Sequence, residues 1–301
     1  MQRVLVTGAT GFVGKYTLPL LLERGFEVHA VSSKPVKKEN NGFFWHHADL
    51  LKKDQLTDLV SKISPTHLLH FAWCTEPKKY WTSPDNLKWL QSSLNLLDAF
   101  KNNGGERVLF AGTCAEYEWS FSRYVENKTP LKPATFYGIC KHSLQLILNA
   151  YCREFKLSNA WGRIFFPFGP GEHPDRLVSF VTRSLLGNKM APCSKGDQLR
   201  DFLFVEDVAS AFVSILESNV EGPVNIGSGV AVTIKDLVRK ICEKTGGQDL
   251  VKFGDLPTSP GDPGELVADV TILVKKVGWV PKYNLDEGIE KTVRWWKNKL
   301  S

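Results

Sequence analysis

The chain has 301 residues, 43% hydrophobic and 23% charged, which allows a sizeable core over about two domains of roughly 150 residues and excludes a disordered polymer. No apolar run reaches the roughly 18 residues of a membrane span, and a formal charge of +6, modest for this length, suits a phosphate-bearing ligand and otherwise reads as a plain solvated surface, not a nucleic-acid footprint. Six cysteines without a C-x-x-C pair read as reduced thiols, and Met1-Gln2-Arg3 leaves no room for a signal peptide, so a cytoplasmic protein with neither nucleic-acid nor membrane partner is expected.

In chain order, Arg3 to Thr7 reads as a buried strand and Val13 to Arg24 as a helix with Leu18, Leu21 and Leu22 on one face. Phe26 to Ser32 is a second strand. The helical stretch Lys53 to Ile63 precedes a third apolar run, His67 to Ala72. Asn86 to Asn102 is a long helix, and Arg107 to Ala111 a fourth core strand. This alternation predicts an α/β fold, a Rossmann doubly wound parallel sheet over residues 1–165. Beyond it the pattern turns irregular. Phe166 to Pro174 is rich in proline and glycine, Asn225-Ile226-Gly227-Ser228-Gly229 reads as a turn, and Leu256 to Glu265 as a loop. Helices are expected at Ile234 to Thr245 and Leu285 to Lys299. Residues 166–301 should form mainly a smaller C-terminal α/β substrate domain, with about 200–216 returning to the first.

Gly8-Ala9-Thr10-Gly11-Phe12-Val13-Gly14 follows a strand and opens a helix, the context that makes a glycine triplet a dinucleotide-binding turn. The first glycine permits the tight turn, the second lets backbone approach a pyrophosphate, and the third lets the helix pack on the sheet. Amides and dipole at the helix start then hold the phosphate charge. Gly8, Thr10, Gly11, Phe12, Val13 and Gly14 are therefore candidate cofactor residues. A carboxylate at the end of the second strand would accept from a ribose 2′-hydroxyl. Here stand Ser32, Ser33 and Lys34, two hydroxyls and an ammonium able to bind a 2′-phosphate. NADP(H) is favoured on that ground, with NAD(H) as the alternative; the competing view puts Lys34 with Lys37 and Lys38 in a solvated loop. Asp49 and Leu50 are candidates near adenine, Asp49 also as a helix cap. Phe71 and Ala72 close the third run as further cofactor candidates.

Tyr137-Gly138-Ile139-Cys140-Lys141 has a Y-x-x-x-K spacing, which places both side chains on one helix face. A phenol near pKa 10 is a poor acid–base catalyst at neutral pH. An ammonium at about 4 Å, at an effective dielectric of about 20, supplies roughly 4 kcal/mol and lowers that pKa by about three. Tyr137 and Lys141 are thus the candidate hydride-transfer pair, with Thr113 at the end of the preceding strand segment.

The glycine turn, Gly112-Thr113-Cys114-Ala115-Glu116-Tyr117, Tyr137 with Lys141, and Arg200-Asp201-Phe202-Leu203-Phe204-Val205-Glu206-Asp207-Val208-Ala209 occur in one order. Together with Asn225 to Gly229 and Gly278-Trp279-x-Pro281, they resemble an extended short-chain dehydrogenase/reductase of the nucleotide-sugar epimerase/dehydratase family over essentially the whole chain. The resemblance implies Thr113 on the sugar oxygen, Tyr137 as acid/base, and Lys141 tuning Tyr137 and holding the nicotinamide ribose. It implies Arg200 on the substrate diphosphate, unless Arg200 pairs with Asp201 or Asp207. It also implies a homodimer packed through the helices containing Tyr137 and Asn86.

Departures narrow the reaction. The family's sugar dehydratases carry Asp and Glu after the threonine, where this chain has Cys114 and Ala115, so dehydration is disfavoured. Glu116, one place on, is expected to face away on an extended segment. Phe166-Pro167 replaces an asparagine that often contacts substrate phosphates, leaving Arg176 and Lys189 as candidates. Pro260-Gly261-Asp262 lacks a preceding arginine, which leaves the base open. Trp73, Trp81 and Trp119 either wall the sugar site or fill core, and Trp73 is taken as a substrate candidate. His46-His47 has no third ligand in register, so no metal is expected. The expected activity is NADPH-dependent reduction of the 4-keto group of a nucleotide-linked 6-deoxy sugar. The alternatives are an NAD-dependent 4-epimerase and a non-catalytic dinucleotide sensor.

Overall fold

A strand covered on both faces needs consecutive apolar residues, and β1 (Arg3–Thr7) has them: everything after Arg3 is buried. The computed structural model describes residues 2–36, 42–258 and 261–301; Lys37, Lys38 and Pro260 lie outside the described residues. After β1 come α1 (Gly14–Glu23), β2 (Glu27–Ser32), β3 (Phe44–His47), α2 (Lys53–Ile63), β4 (His67–His70), α3 (Asp85–Asn102) and β5 (Arg107–Thr113). The chain continues with β6 (Arg123–Tyr124), α4 (Phe136–Glu154), β7 (Ser158–Ile164), β8 (Phe166–Phe168), α5 (Leu177–Leu186), β9 (Ala191–Cys193), β10 (Leu199–Arg200) and β11 (Phe202–Phe204). It ends with α6 (Val205–Glu217), β12 (Gly222–Ile226), β13 (Val232–Thr233), α7 (Ile234–Thr245), β14 (Val251–Phe253), β15 (Glu265–Ala268), α8 (Thr271–Lys275) and α9 (Leu285–Leu300).

Seven strands form one parallel sheet in the order β12-β7-β5-β4-β1-β2-β3. The order reverses between β1 and β4, which opens a crevice at the carboxyl ends of the strands, the usual ligand position in such sheets. Thr7 and His70 are register partners there, and Ser32 pairs with His47. Helices α1 and α6 cover one face through Leu18, Leu21, Val208 and Phe212; α2, α3 and α4 cover the other through Leu56, Leu96, Phe100, Leu144 and Leu148. Each fully buried side chain of this size contributes roughly 1.5–3 kcal/mol.

Three elements differ from the expected pattern. β3 is a sheet edge whose residues are exposed or half-buried, so it carries no apolar run to announce it. Asn225 and Ile226 belong to edge strand β12, and only 227–229 turn. The proline-rich start at 166 is itself a strand, β8, paired with β11. The second half packs α5, α7 and α9 around Phe168, Phe204, Val181, Ile241 and Ile289. A four-stranded sheet, β13-β10-β15-β6, brings residues from before and after 165 together. Among the described residues no helix is long and apolar enough to cross a membrane.

Candidate active site

The glycine turn is built by steric demand. Gly8 adopts φ +66, and a Cβ there would lie 2.8 Å from the Ala72 amide nitrogen, so β1 meets the Phe71-Ala72 segment closely. A Cβ on Gly11 would lie 2.9 Å from the Gly8 carbonyl oxygen, and one on Gly14 would collide with it. Thr10 and Gly11 are exposed, Phe12 and Val13 half-buried. Helix α1 has no side-chain cap and no acidic residue in its first turn. Among the described residues the amides of Phe12, Val13 and Gly14 take no acceptor. A helix start with open amides and no competing carboxylate fits a dinucleotide pyrophosphate.

At the far end of the crevice, Ser32 is buried. Its hydroxyl donates to the Lys34 carbonyl at 2.8 Å and accepts from the Lys34 amide at 3.1 Å, so it closes its own turn. Of the three residues expected on a 2′-phosphate, only Ser33 and Lys34 present exposed side chains. Asp49 does not cap α2: its Oδ1 accepts from the Leu51 amide at 3.1 Å, and Lys52 is the α2 cap residue. Leu50 is buried beside it.

Thr113 ends β5, and the chain then tightens into a 3₁₀ turn over Cys114–Glu116. Helix α4 starts from Thr135, whose Oγ1 accepts from the Gly138 amide at 3.1 Å, while the Tyr137 amide donates to the Trp81 carbonyl at 3.1 Å. Gly138 has to be glycine, since a Cβ would strike the Ala115 carbonyl oxygen. That close approach brings Tyr137 and Lys141 beside Thr113. Tyr137 and Lys141 are 7% and 3% exposed, so both are desolvated.

Burial raises the Tyr137 phenol above its ordinary range, the neighbouring Tyr80 adds to this, and the Thr113 hydroxyl acts the opposite way. Burial pushes Lys141 down to about 7, with the Glu116 charge pulling upward. The expected lowering of Tyr137 by Lys141 is therefore not what this arrangement produces. Lys141 Nζ donates to the Ala111 carbonyl at 2.9 Å and sits 3.9 Å from the Trp73 ring centroid, so its charge is directed there. His70 is neutral, held down to about 3 by burial and by Lys141. Its Nε2–H donates to Ser93 Oγ at 2.9 Å, because that hydroxyl is itself donated to the Trp89 carbonyl; its Nδ1 accepts from Thr7 Oγ1 at 2.6 Å.

Aromatic rings surround the phenol. Tyr80, Trp81 and Trp73 stand edge-on to Tyr137 at 4.9, 5.8 and 6.4 Å between centroids, and Trp119 stacks edge-on against Trp81. Trp73 is thus wall and lysine support together, its indole N–H fixed on Asn86 Oδ1 at 2.8 Å. Arg176 lies over the Tyr80 ring at 5.2 Å, within this enclosure, whereas Lys189 is exposed.

Two further positions depart from expectation. Arg200 is 3% exposed and its NH2 donates to Asp262 Oδ1 at 2.7 Å, so its partner is neither Asp201 nor Asp207. Asp201 accepts from Ser228, Gly229 and Ala268, and Asp207 from the Lys282 and Tyr283 amides. Glu116 does not face away, because the 3₁₀ turn folds it back beneath Thr113, fully buried. Its partner is Arg163 at 2.7 Å. A charge inside the apolar run from Ala160 to Phe166 was the available signal for that pair. Among the described residues no group of three or more His, Cys, Asp or Glu side chains is arranged for a metal; His46 Nε2 meets His29 Nδ1 at 2.9 Å instead.

This crevice, glycine turn and Thr-Tyr-Lys grouping agree with the profile of the NAD dependent epimerase/dehydratase family, which matches residues 4–227. The chain belongs to that family. As a member of the NAD dependent epimerase/dehydratase family it is an NAD(P)-dependent enzyme of the extended short-chain dehydrogenase/reductase type. It is 28% identical over 314 residues to UDP-glucuronic acid decarboxylase 1 of Xenopus tropicalis, covering 99% of this chain and 73% of the relative. It is 26% identical over 308 residues to dTDP-4-dehydro-6-deoxyglucose reductase of Escherichia coli, covering 97% and 96%. The solved complex of Thermus thermophilus UDP-glucose 4-epimerase with NAD superposes with a TM-score of 0.88 at 28% identity, covering 98% of this chain and 99% of that one.

Proposed function

We propose that this enzyme reduces the 4-keto group of a nucleotide-linked 6-deoxy sugar with NADPH. The observation that carries the reading is the grouping of Thr113, Tyr137 and Lys141 with Cys114 and Ala115, not carboxylates, in the next two places. Cys114 is buried and its thiol is pushed up to about 12, so it supplies no base. Dehydration across two carbons lacks its acid and base; a single carbonyl reduction needs only one proton donor. The relative named dTDP-4-dehydro-6-deoxyglucose reductase supports the same choice.

Bound NADPH supplies the hydride. In this reading Thr113 polarises the carbonyl oxygen and Tyr137, whose proton burial holds firmly, gives that proton to the forming alkoxide. Lys141 holds the nicotinamide ribose, and Ser33 and Lys34 take the 2′-phosphate. The aromatic enclosure of Trp73, Tyr80, Trp81 and Trp119 excludes water and suits a methyl-bearing sugar face; Arg176 and Arg200 face the diphosphate. The surface of α3 and α4 exposes Leu87, Ile139, Leu146 and Ile147, and we assign the homodimer contact to it. All six cysteines are free, in keeping with the cytoplasmic location proposed.

A second reading, an NAD-dependent 4-epimerase, is favoured by two observations. Ser32 is engaged in its own turn, and the Thermus neighbour was solved with NAD. One assay separates the two: NADPH or NADH mixed with UDP-, dTDP-, GDP- and CDP-linked 4-keto-6-deoxy sugars. The reductase reading expects stoichiometric NADPH oxidation with at least one of them. Protein that carries NAD through purification and interconverts 4-epimers without net oxidation defeats it.

A further inference from the structure

The proposed hydride chemistry makes no use of the Glu116–Arg163 pair, although both side chains are 0% exposed. Glu116 Oε1 accepts from the Thr113 amide at 2.8 Å, Oε2 accepts from Arg163 Nε at 2.7 Å, and Trp161 Nε1 reaches both oxygens at 2.9 and 3.0 Å. Arg163, on β7, directs its other nitrogens to the Tyr117 hydroxyl at 3.1 Å and to Gln145 Oε1 at 3.0 Å. Gln145 stands one helical turn beyond Lys141 on α4. The pair therefore ties the end of β5, which carries Thr113, to the helix that carries Tyr137 and Lys141. Gly112 makes room for it, since a Cβ there would collide with the Trp161 indole nitrogen and lie 2.7 Å from Glu116 Oε1.

A buried ion pair is a weak device for stability alone, because apolar residues of similar volume often do as well or better. Its location beneath a buried lysine gives it another use. The titratable groups facing Lys141 are Glu116 from the 3₁₀ turn, His70 from β4 and Tyr137 from its own helix, with Arg163 of β7 behind Glu116. His70 is neutral by its hydrogen bonds and Tyr137 by its burial. Among the described residues Glu116 is the one negative charge acting on the ammonium.

We propose that Glu116 is a positioning residue, which with Arg163 sets Thr113 against Tyr137 and holds a negative charge beneath Lys141. The inference rests on the reading that Thr113, Tyr137 and Lys141 carry the reaction. Burial pushes Lys141 down and the Glu116 charge pulls it back up, to about 7, so without that charge most of the protein at neutral pH would hold a neutral amine.

The test follows the Lys141 ammonium directly in the intact protein, by NMR of lysine labelled with ¹³C at Cε, with Lys141→Met giving the assignment. Glu116→Gln keeps the shape and the acceptor for the Thr113 amide but removes the charge. The midpoint of the Lys141 titration should then fall by about one to two pH units, the effect of a unit charge roughly 6 to 12 Å away at an effective dielectric of about 20. Glu116→Gln leaves Arg163 buried without its anion and can unfold the chain, so Glu116→Gln/Arg163→Met is measured beside it. The double variant should show a midpoint lowered in the same direction but by less, because loss of the Arg163 cation offsets part of the loss of the Glu116 anion. In turnover, kcat should fall about tenfold or more as Thr113 loses its place, KM for NADPH should rise as the hold on the nicotinamide ribose weakens, and the alkaline limb of kcat/KM should move down with the midpoint. Glu116→Asp should restore part of both. A midpoint unmoved in the double variant overturns the proposal. Absence of reductase activity in the unmodified protein would refute the preceding function and leave the titration to decide this one.

Discussion

The dinucleotide crevice and the floor beneath Thr113 are built from opposite materials. The crevice is mostly backbone: three glycines, open amides at the start of α1, and almost no side chain that a substitution could remove. The floor is mostly side chain, a buried cation, a buried ion pair and four aromatic rings contributed by β4, α3, β5, α4, β7 and the loops between them. Backbone sites are robust to polar substitution and intolerant of any added Cβ. Side-chain sites tolerate small shifts of backbone but depend on each group's charge state, since desolvation magnifies every charge nearby.

The contrast can be broken from either side. Tyr137→Phe removes the proposed proton donor from the floor and should lower kcat by about 10³-fold, within the general-acid range, with the Kd for NADPH nearly unchanged by calorimetry. His70 tests the burial argument through stability. Its pKa is about 3 folded against 6.5 in the unfolded chain, so the unfolded chain binds the extra proton between those values. His70 therefore contributes stability that is present above pH 6.5 and lost as pH falls towards 3, on the order of 5 kcal/mol across the window. Denaturant titrations over that range should show the slope, and His70→Gln should flatten it.

On the crevice side, Gly14→Ala forces a methyl onto the Gly8 carbonyl oxygen. It should cost about 2 kcal/mol of dinucleotide binding, roughly thirtyfold in Kd, while kcat at saturating cofactor changes little. The smallest effect is reserved for the strand end. Lys34→Ala should weaken NADPH by about tenfold and leave NADH alone, as loss of one charge-assisted contact would. Equal weakening of both cofactors would place Lys34 in the solvated loop instead.

The same contrast explains what could be read before the structure was known. The crevice was legible because backbone geometry imposes glycine at fixed spacing, and the parallel strands because double-sided burial imposes apolar runs. Tyr137 and Lys141 were legible as a pair because a helix brings residues four apart onto one face. The floor was harder. Glu116 was expected to point away, since alternation holds only on extended backbone and the 3₁₀ turn at Cys114–Glu116 breaks it. Its partner lies 47 residues downstream on another strand, a separation that no local pattern encodes. Arg200 was expected on the substrate diphosphate, with Asp201 or Asp207 as alternative partners, whereas the carboxylate that accepts from it is Asp262, in the loop that leads into β15. Edge strand β3 left no trace for the plainer reason that a half-exposed strand needs no apolar run.

The central claim is that hydride passes from NADPH to C4 of a nucleotide-linked sugar above Tyr137. The most direct measurement uses cofactor deuterated at the nicotinamide C4 with a 4-keto-6-deoxy sugar nucleotide, the product then being read by NMR. The account predicts one deuterium at C4 of the sugar for each NADPH oxidised, and labelling slowed by about 10³-fold with Tyr137→Phe at the same enzyme concentration. A keto sugar left unreduced with the label retained on the cofactor, by protein that interconverts the 4-hydroxy epimers of a nucleotide sugar, would contradict it.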